Sequence, residues 1–334
     1  MTEMTVLNGV AIEELLTIPM AVEAVEQAYL EKSKGDAALW PMVFHEFDPG
    51  HADLDIKSGD LGGLGFYGLK VVSWFGANPG KGLPALYGTS LLFDLATGAP
   101  RALLNAGPIT DFRTGAAGAI GAKYLARPDA ETLLMAGTGA LAPYLIAAAL
   151  YLLPQIKTVY VTNPHHSECS AAACEAITPQ VEKLLSGCGG CHAAIAAAPD
   201  LEKAVRHSDV ILTATPAREP FIKAEWVQPG THISCVGADM PGKQEVDSAL
   251  FASAKVFGDD TAQCLSVGEC EVPYKAGVFS GHICEIGGVI SGAEAGRTDA
   301  SDITIFDSTG IALQDIATAA ALLQAAQETG KGQT

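Results

Sequence analysis

Residues 131–150, ETLLMAGTGALAPYLIAAAL, constrain what this chain can fold into more than any other stretch. The apolar run 132–136 reads as a short, fully buried strand. It enters Gly137-Thr138-Gly139-Ala140-Leu141-Ala142 and continues as an alanine-rich helix. That is a G-x-G-x-x-A loop between strand and helix, the arrangement that binds the pyrophosphate of a dinucleotide. Gly137 makes the tight turn, Gly139 lets a phosphate approach the backbone, and Ala142 lets the helix pack closely on the strand. The helix N-terminus offers unpaired N–H groups and a partial positive charge. Pro143 falls in the first helical turn, where a missing N–H costs nothing. An ordinary glycine-rich turn is the alternative, and the flanking strand and helix are what set it aside.

The rest of the chain arranges itself around this unit. Downstream, strands over 157–161, 192–197, 209–213, 232–236, 255–258 and 303–306 alternate with helices over 167–185 and 201–207. This order is that of a doubly wound parallel sheet. Upstream, a helical segment over 10–33, restarted at Pro19, precedes strands over 40–47, 69–75, 86–94 and 101–105. The last two are joined by the turn 94–98. Residues 51–65, which contain Lys57, read as a charged, turn-rich connection. A helix from Pro108 to about Arg127 has the thin interior Gly115-Ala116-Ala117-Gly118-Ala119-Ile120-Gly121. Each such glycine costs about 1 kcal/mol relative to alanine in a helix, so another element or a ligand must approach closely. A final helix runs to about Gln327 and is expected to pack back on the N-terminal part. The expected class is α/β: a Rossmann doubly wound parallel sheet (116–309) plus a β-rich α+β domain (1–115 with 310–334).

Charge and composition exclude some partners. The formal net charge is −18, which argues against nucleic acid and anionic membranes, because a phosphate backbone needs a basic face. Hydrophobic runs are interrupted well before membrane-spanning length. The first residues show no basic stretch followed by an apolar core, so no export signal is expected and the location expected is cytoplasmic. The 8 cysteines then read as reduced thiols. Cys188-Gly-Gly-Cys191-His192 matches a haem-attachment spacing but reads better as a loop, and Cys235 reads as a small core residue. No metal is expected.

An acidic residue after the second Rossmann strand would bind the ribose 2′-hydroxyl of NAD, and an arginine there would suit NADP. The sequence has Thr162-Asn163-Pro164-His165-His166 instead. Asn163 can hydrogen-bond a ribose and no arginine or lysine compensates a 2′-phosphate, so NAD is favoured and NADP stays open. Three further patches put polar groups where core residues are expected: Lys70 inside Gly68-Leu69-Lys70-Val71-Val72, Arg113 inside Thr110-Asp111-Phe112-Arg113-Thr114, and Asp239 with Lys243 inside the segment 235–243. Taken singly, each suits a surface salt bridge. Their occurrence together beside a dinucleotide fold points to a site.

In these segments the chain resembles the ornithine cyclodeaminase/μ-crystallin family. They are GLKVVSWFGANPGKGLP (68–84), ITDFRTGAAGAIGAKYLAR (109–127), GTGALA (137–142), VILTATP (210–216), PGTHISCVGADMPGKQEVD (229–247) and ITIFDSTGIALQD (303–315). The resemblance implies an N-terminal domain that dimerises and holds substrate, and a Rossmann domain that holds NAD or NADP. It implies that Lys70 and Arg113 grip the α-carboxylate of an amino or imino acid, with Lys70 also at the reaction centre. Asp239 would exchange the proton on the substrate nitrogen. Thr138, Gly139 and Ala140 would lie on the cofactor phosphates. Lys243 and Ser308 would contact the cofactor, and Gly137, Leu141, Asn163, Thr213, Val236 and Gly237 complete the candidate cofactor set. A bidentate arginine with a point-charge lysine is what a carboxylate requires, and an iminium carbon accepting hydride needs a carboxylate nearby.

The sequence departs from the ornithine-cyclising pattern. Those members carry an arginine after the proline of the first β-strand, where this chain has Pro41-Met42-Val43. They also carry an acidic residue before the lysine, where the same interval here reaches Lys57. An inward Lys57 would repel a distal ammonium and attract a distal carboxylate; a solvated loop lysine is the alternative. The expected activity is therefore NAD(P)-dependent reduction of a small 2-imino acid, such as iminosuccinate, pyruvate imine or a cyclic ketimine, or its reverse. An ammonia-releasing cyclodeaminase and a non-catalytic crystallin-like ligand-binding protein are the other two readings.

Overall fold

The computed structural model describes residues 4–332. In chain order the elements are β1 (Thr5–Leu7), α1 (Gly9–Leu15), α2 (Ile18–Lys34), β2 (Ala37–Leu39), β3 (Val43–Asp48), β4 (Ala52–Leu61), β5 (Phe66–Phe75), β6 (Leu86–Asp94), β7 (Pro100–Asn105), α3 (Ala106–Leu125) and β8 (Thr132–Ala136). There follow α4 (Ala142–Leu152), β9 (Thr158–Thr162), α5 (Ser170–Leu185), β10 (Ala194–Ala197), α6 (Leu201–Arg206), β11 (Val210–Thr213), β12 (His232–Cys235) and β13 (Lys255–Gly258). The chain closes with α7 (Thr261–Val267), α8 (Glu271–Lys275), β14 (Cys284–Glu285), α9 (Ile286–Ser291), β15 (Thr304–Asp307) and α10 (Ala312–Thr329). Two compact units emerge, Met1–Arg113 with Ile311–Thr334, and Thr114–Gly310. No helix among the described residues is long and apolar enough to cross a membrane.

The first unit is a sheet with helices on one face. Its strand order is β1-β7-β6-β5-β4-β2, with β3 also pairing with β4. All pairs are antiparallel except β1 with β7. α2 begins at Thr17, whose side chain accepts from the Met20 N–H, and ends at Gly35 in the left-handed conformation. α10 lies across the sheet and packs against α2 and strands β4, β5 and β6. Two glycines make this approach close. A Cβ on Gly59 would come within 3.1 Å of the Leu313 side chain, and one on Gly68 within 3.4 Å of Ile316.

One expectation is corrected here. Most of the segment 51–65 is not a turn-rich connection but the ten-residue strand β4, which pairs with β5 over its whole length. Side chains alternate between the two faces of a strand. In β4, Leu54 and Ile56 take one face, while Asp55, Lys57 and Gly59 take the face that meets α10. Ahead of the buried Leu61 the inward face thus carries charges and a glycine, and the usual strand pattern is hidden.

The second unit is an eight-stranded parallel sheet of order β10-β9-β8-β11-β12-β15-β13-β14. Strands β8, β9 and β10 run outward in one direction and β11, β12 and β15 in the other, so the order reverses between β8 and β11. Doubly wound sheets bind ligands at that reversal, beyond the carboxyl ends of the strands. The thin face of α3 packs inside this unit. A Cβ on Gly115 would lie 2.6 Å from the Tyr144 carbonyl carbon, one on Gly118 2.6 Å from Leu145, and one on Gly121 2.3 Å from the Phe306 ring. The glycines therefore serve close packing against α4 and the sheet. Gly121→Ala should destabilise the protein by about 2 kcal/mol through overpacking, despite the roughly 1 kcal/mol that alanine gains over glycine in a helix. Urea unfolding measures the difference, and a stabilised variant would contradict this packing.

Candidate active site

In the first unit, two cations converge on one buried carboxylate, with a third, Lys57, in register beside one of them. Lys70 lies mid-way along β5, in cross-strand register with Lys57 on β4 and Ser90 on β6. The three therefore share the sheet face that meets α10. Lys70 Nζ lies 3.0 Å from Asp315 Oδ1 and 3.4 Å from Thr110 Oγ1. Arg113, on α3, brings its Nε to 3.3 Å from the same Asp315 oxygen. Its Nη1 donates to Gln314 Oε1 at 3.1 Å, and the Gln314 amide donates to the Tyr29 hydroxyl at 2.8 Å. Lys70, Arg113, Gln314, Asp315 and Tyr29 are all buried. Two adjacent residues in the first turn of α10 thus hold the arginine from two sides.

The charge states show which sign is in excess. Burial pushes the Lys70 ammonium down to about 8; the Asp315 carboxylate opposes that, and Arg113 and Lys57 add to it. Burial also penalises the Asp315 carboxylate, but Lys70 and Arg113 outweigh it and hold the group below its ordinary value. A balanced ion pair would stabilise both partners. Here the acid is stabilised and the base is not: burial is the main cause of the lowered Lys70, and Arg113 and Lys57 add to it against Asp315. Such a cluster favours an incoming anion.

The second unit places the remaining candidates beyond the carboxyl ends of its parallel strands. Gly137 directly follows β8 with φ +128°, and a Cβ there would meet the Ala214 carbonyl oxygen at 2.5 Å. Among the described residues, its chain neighbours aside, nothing lies within 4 Å of a Cβ built on Gly139, so its side faces open space. α4 begins at Ala142 with no side chain capping its N–H groups. The loop Gly137–Ala140 and this helix end fit a pyrophosphate. Asn163, just after β9, donates from its amide to Thr138 Oγ1 at 3.0 Å and accepts from the backbone N–H groups of His165 and His166. It ties the second strand's loop to the first.

Glu245, which the sequence did not single out, organises the neighbouring loops. Its carboxylate is fully buried. It accepts from Thr213 Oγ1 at 2.7 Å, from the Thr215 N–H at 2.7 Å and hydroxyl at 2.8 Å, and from the Gly237 N–H at 2.9 Å. The ends of β11 and β12 are thereby fixed together. Glu269 accepts from the N–H groups of Glu245 and Val246. Burial raises both carboxyls, and Glu245 pushes Glu269 higher still. The four donors oppose the rise at Glu245, so Glu269 is the carboxyl pushed further up. Asp239, in the loop after β12, is half-exposed and forms an ion pair with Lys243 at 2.6 Å. Ser308 directly follows β15, and its N–H donates to the Cys235 carbonyl at 2.9 Å; Val236 donates likewise to Thr213.

The sequence candidates thus fall into two groups. Lys57, Lys70 and Arg113 meet in the first unit. Gly137, Thr138, Gly139, Ala140, Leu141, Asn163, Thr213, Val236, Gly237, Asp239, Lys243 and Ser308 line the carboxyl ends of strands in the second. Asp315, Gln314 and Tyr29 were not anticipated. An acid in the first turn of the final helix was the available signal for Asp315, and only the fold connects it with Lys70.

Comparison with known proteins places the chain in a family. Residues 2–330 match the model of the ornithine cyclodeaminase/mu-crystallin family, and the chain belongs to it. It is 36% identical over 321 residues to the alanine dehydrogenase of Archaeoglobus fulgidus, covering 95% of this chain and 93% of that one. It is 32% identical over 320 residues to the iminosuccinate reductase of Paracoccus denitrificans, covering 96% and 95%. Among solved structures, an archaeal alanine dehydrogenase dimer with bound NAD superposes with a TM-score of 0.86 at 36% identity, covering 99% of this chain and 98% of that one. The Paracoccus denitrificans iminosuccinate reductase in complex with NAD+ gives 0.88 at 32% identity, covering 99% and 98%. The Thermococcus litoralis Δ1-pyrroline-2-carboxylate reductase with NADH and L-proline gives 0.87 at 31%, covering 99% and 100%.

The open side of Gly139 yields a prediction. Gly139→Ala should leave unfolding stability within about 0.5 kcal/mol while weakening NADH binding about tenfold, or ~1.4 kcal/mol. Fluorescence titration reads the affinity. Unchanged binding would remove the loop from phosphate recognition.

Proposed function

We propose that this protein is an NAD-dependent oxidoreductase acting on the C–N bond of a small 2-imino or amino acid, with a dicarboxylate such as iminosuccinate preferred. The observation that carries the reading is the meeting of Lys70 and Arg113 on one buried carboxylate oxygen, with Lys57 in register beside Lys70. An α-carboxylate satisfies Arg113 and Lys70, since a planar guanidinium and a point charge together recognise that group. Lys57 on the same sheet face offers a second cation to a distal carboxylate and repels the distal ammonium of ornithine. The named relatives support the chemistry: an alanine dehydrogenase, an iminosuccinate reductase and a pyrroline-2-carboxylate reductase.

A nicotinamide bound at the 137–140 loop would supply or accept the hydride at Cα. In the reducing direction the imine carbon gains that hydride and the nitrogen gains a proton. Asp239, next to Lys243, is the group proposed to exchange that proton. Lys70 and Arg113 orient the substrate through its carboxylate, and Lys70 balances negative charge at the reaction centre. Thr138, Gly139 and Ala140 take the pyrophosphate. Thr162 to His166 offers no arginine or lysine to a 2′-phosphate, which supports NAD over NADP; the structural relatives above carry NAD or NADH.

The protein is further proposed to act as a cytoplasmic homodimer. Trp40, Val43, Phe44, Phe75, Leu86 and Tyr87 of the first unit are exposed. The Trp40 ring stacks on Tyr67 and Tyr67 on Phe93, giving an apolar surface of the kind that self-association covers. The archaeal alanine dehydrogenase is a dimer.

Nicotinamide absorbance tests the activity. Oxaloacetate or pyruvate with ammonia should consume NADH and yield one amino acid per NADH. Ammonia release from ornithine without net NADH change would instead establish a cyclodeaminase. Lys57→Glu should lower kcat/KM for the dicarboxylate about tenfold or more relative to pyruvate imine, the scale of one lost charge contact. An unaltered ratio would remove Lys57 from specificity.

A further inference from the structure

We propose that Asp315 is the positioning residue of the anion site: one buried carboxylate oxygen gathers the Lys70 ammonium and the Arg113 guanidinium onto a single centre and keeps Lys70 cationic. The proposal rests on the preceding reading and specifies how its two carboxylate-binding cations are presented. No role for Asp315 follows from the local sequence, which shows only an acid in the first turn of a helix.

The geometry carries it. Lys70 Nζ and Arg113 Nε approach the same oxygen, Oδ1, at 3.0 and 3.3 Å. The Asp315 side chain is 2% exposed. Its other oxygen, Oδ2, is also buried and accepts no hydrogen bond from the described residues, so the carboxylate is held from the Oδ1 side. Asp315 lies in the first turn of α10, where the helix dipole favours an anion. Gln314, beside it, holds Arg113 Nη1 and is itself held by Tyr29. Removing the carboxylate would leave two buried cations facing each other.

Several charged or titratable groups on neighbouring elements bear on this centre. Lys57 and Asp55 lie on the inward face of β4, Lys70 on β5, Arg113 on α3 and Tyr29 on α2. Lys57 and Arg113 disfavour a charged Lys70, and Asp315 is the group that favours it. A lysine without its proton is a poor carboxylate ligand. Asp315 would therefore set the upper pH limit for substrate binding without touching the substrate.

The test reads Lys70 directly and without substrate, so its outcome is separate from whether the protein reduces an imino acid. Lysine labelled with carbon-13 at Cε is titrated by NMR in the full-length protein, with the Lys70 resonance assigned by its loss in Lys70→Met. The wild-type midpoint should fall near the value of about 8 set by burial and its neighbours. In Asp315→Asn it should drop by about 1 to 3 units, the effect of removing an adjacent opposite charge. A merely structural role gives the opposite sign: a loosened, hydrated site moves the midpoint up toward about 10.4. Asp315→Glu should restore the wild-type midpoint. An unmoved or raised midpoint in folded Asp315→Asn overturns the proposal. Should that variant fail to fold, Asp315→Ser carries the same test: the midpoint should fall, and an unmoved or raised midpoint would overturn the proposal equally.

Discussion

Burying positive charge in excess of negative charge is the constraint on which the first unit depends. A lysine in the middle of an apolar strand costs several kcal/mol unless something compensates its charge. Asp315 compensates part of it, yet Arg113 and Lys57 add further positive charge. The balance leaves Lys70 near 8 while Asp315 stays ionised. A fold selected for stability alone could replace such a cluster with packed apolar residues at little or no cost. The substrate α-carboxylate proposed above has the size and charge to complete it.

The second unit meets a different requirement, which is to hold several loops in register beyond one edge of a sheet. The reversal of strand order between β8 and β11 opens the crevice, and Gly137 turns the chain at its floor. Glu245 then pins the ends of β11 and β12 by accepting four hydrogen bonds. A fully satisfied buried carboxylate is rigid, so Thr213 and Gly237 gain fixed positions through a residue that is not itself at the loop tips. Asp239 and Lys243, by contrast, form a more exposed pair, which suits the proton exchange proposed for Asp239.

Much of this was legible in the sequence because local rules carry it. The strand–GTGALA–helix unit combines a turn requirement, a helix start and a buried strand within twelve residues. The thin face of α3 announced close packing, and Lys70 stood out as a charge inside an apolar run. What stayed hidden was non-local or inverted. Asp315 lies 245 residues from Lys70, and helix propensity alone gives an acid in a first turn no special meaning. β4 escaped notice because its inward face carries Asp55, Lys57 and Gly59, so apolar alternation marks the wrong side. Glu245 was not singled out, and only the fold, in which the ends of β11 and β12 donate to it, shows that it is enclosed.

The central claim is that hydride passes between the nicotinamide and the Cα of a substrate held by its carboxylate. Reduction of a 2-imino acid with NADH deuterated at the transferable C4 position tests it most directly. Mass spectrometry of the amino acid product should find one deuterium at Cα for each NADH consumed. Product free of deuterium, or label retained by the nicotinamide while ammonia is released, would contradict the account.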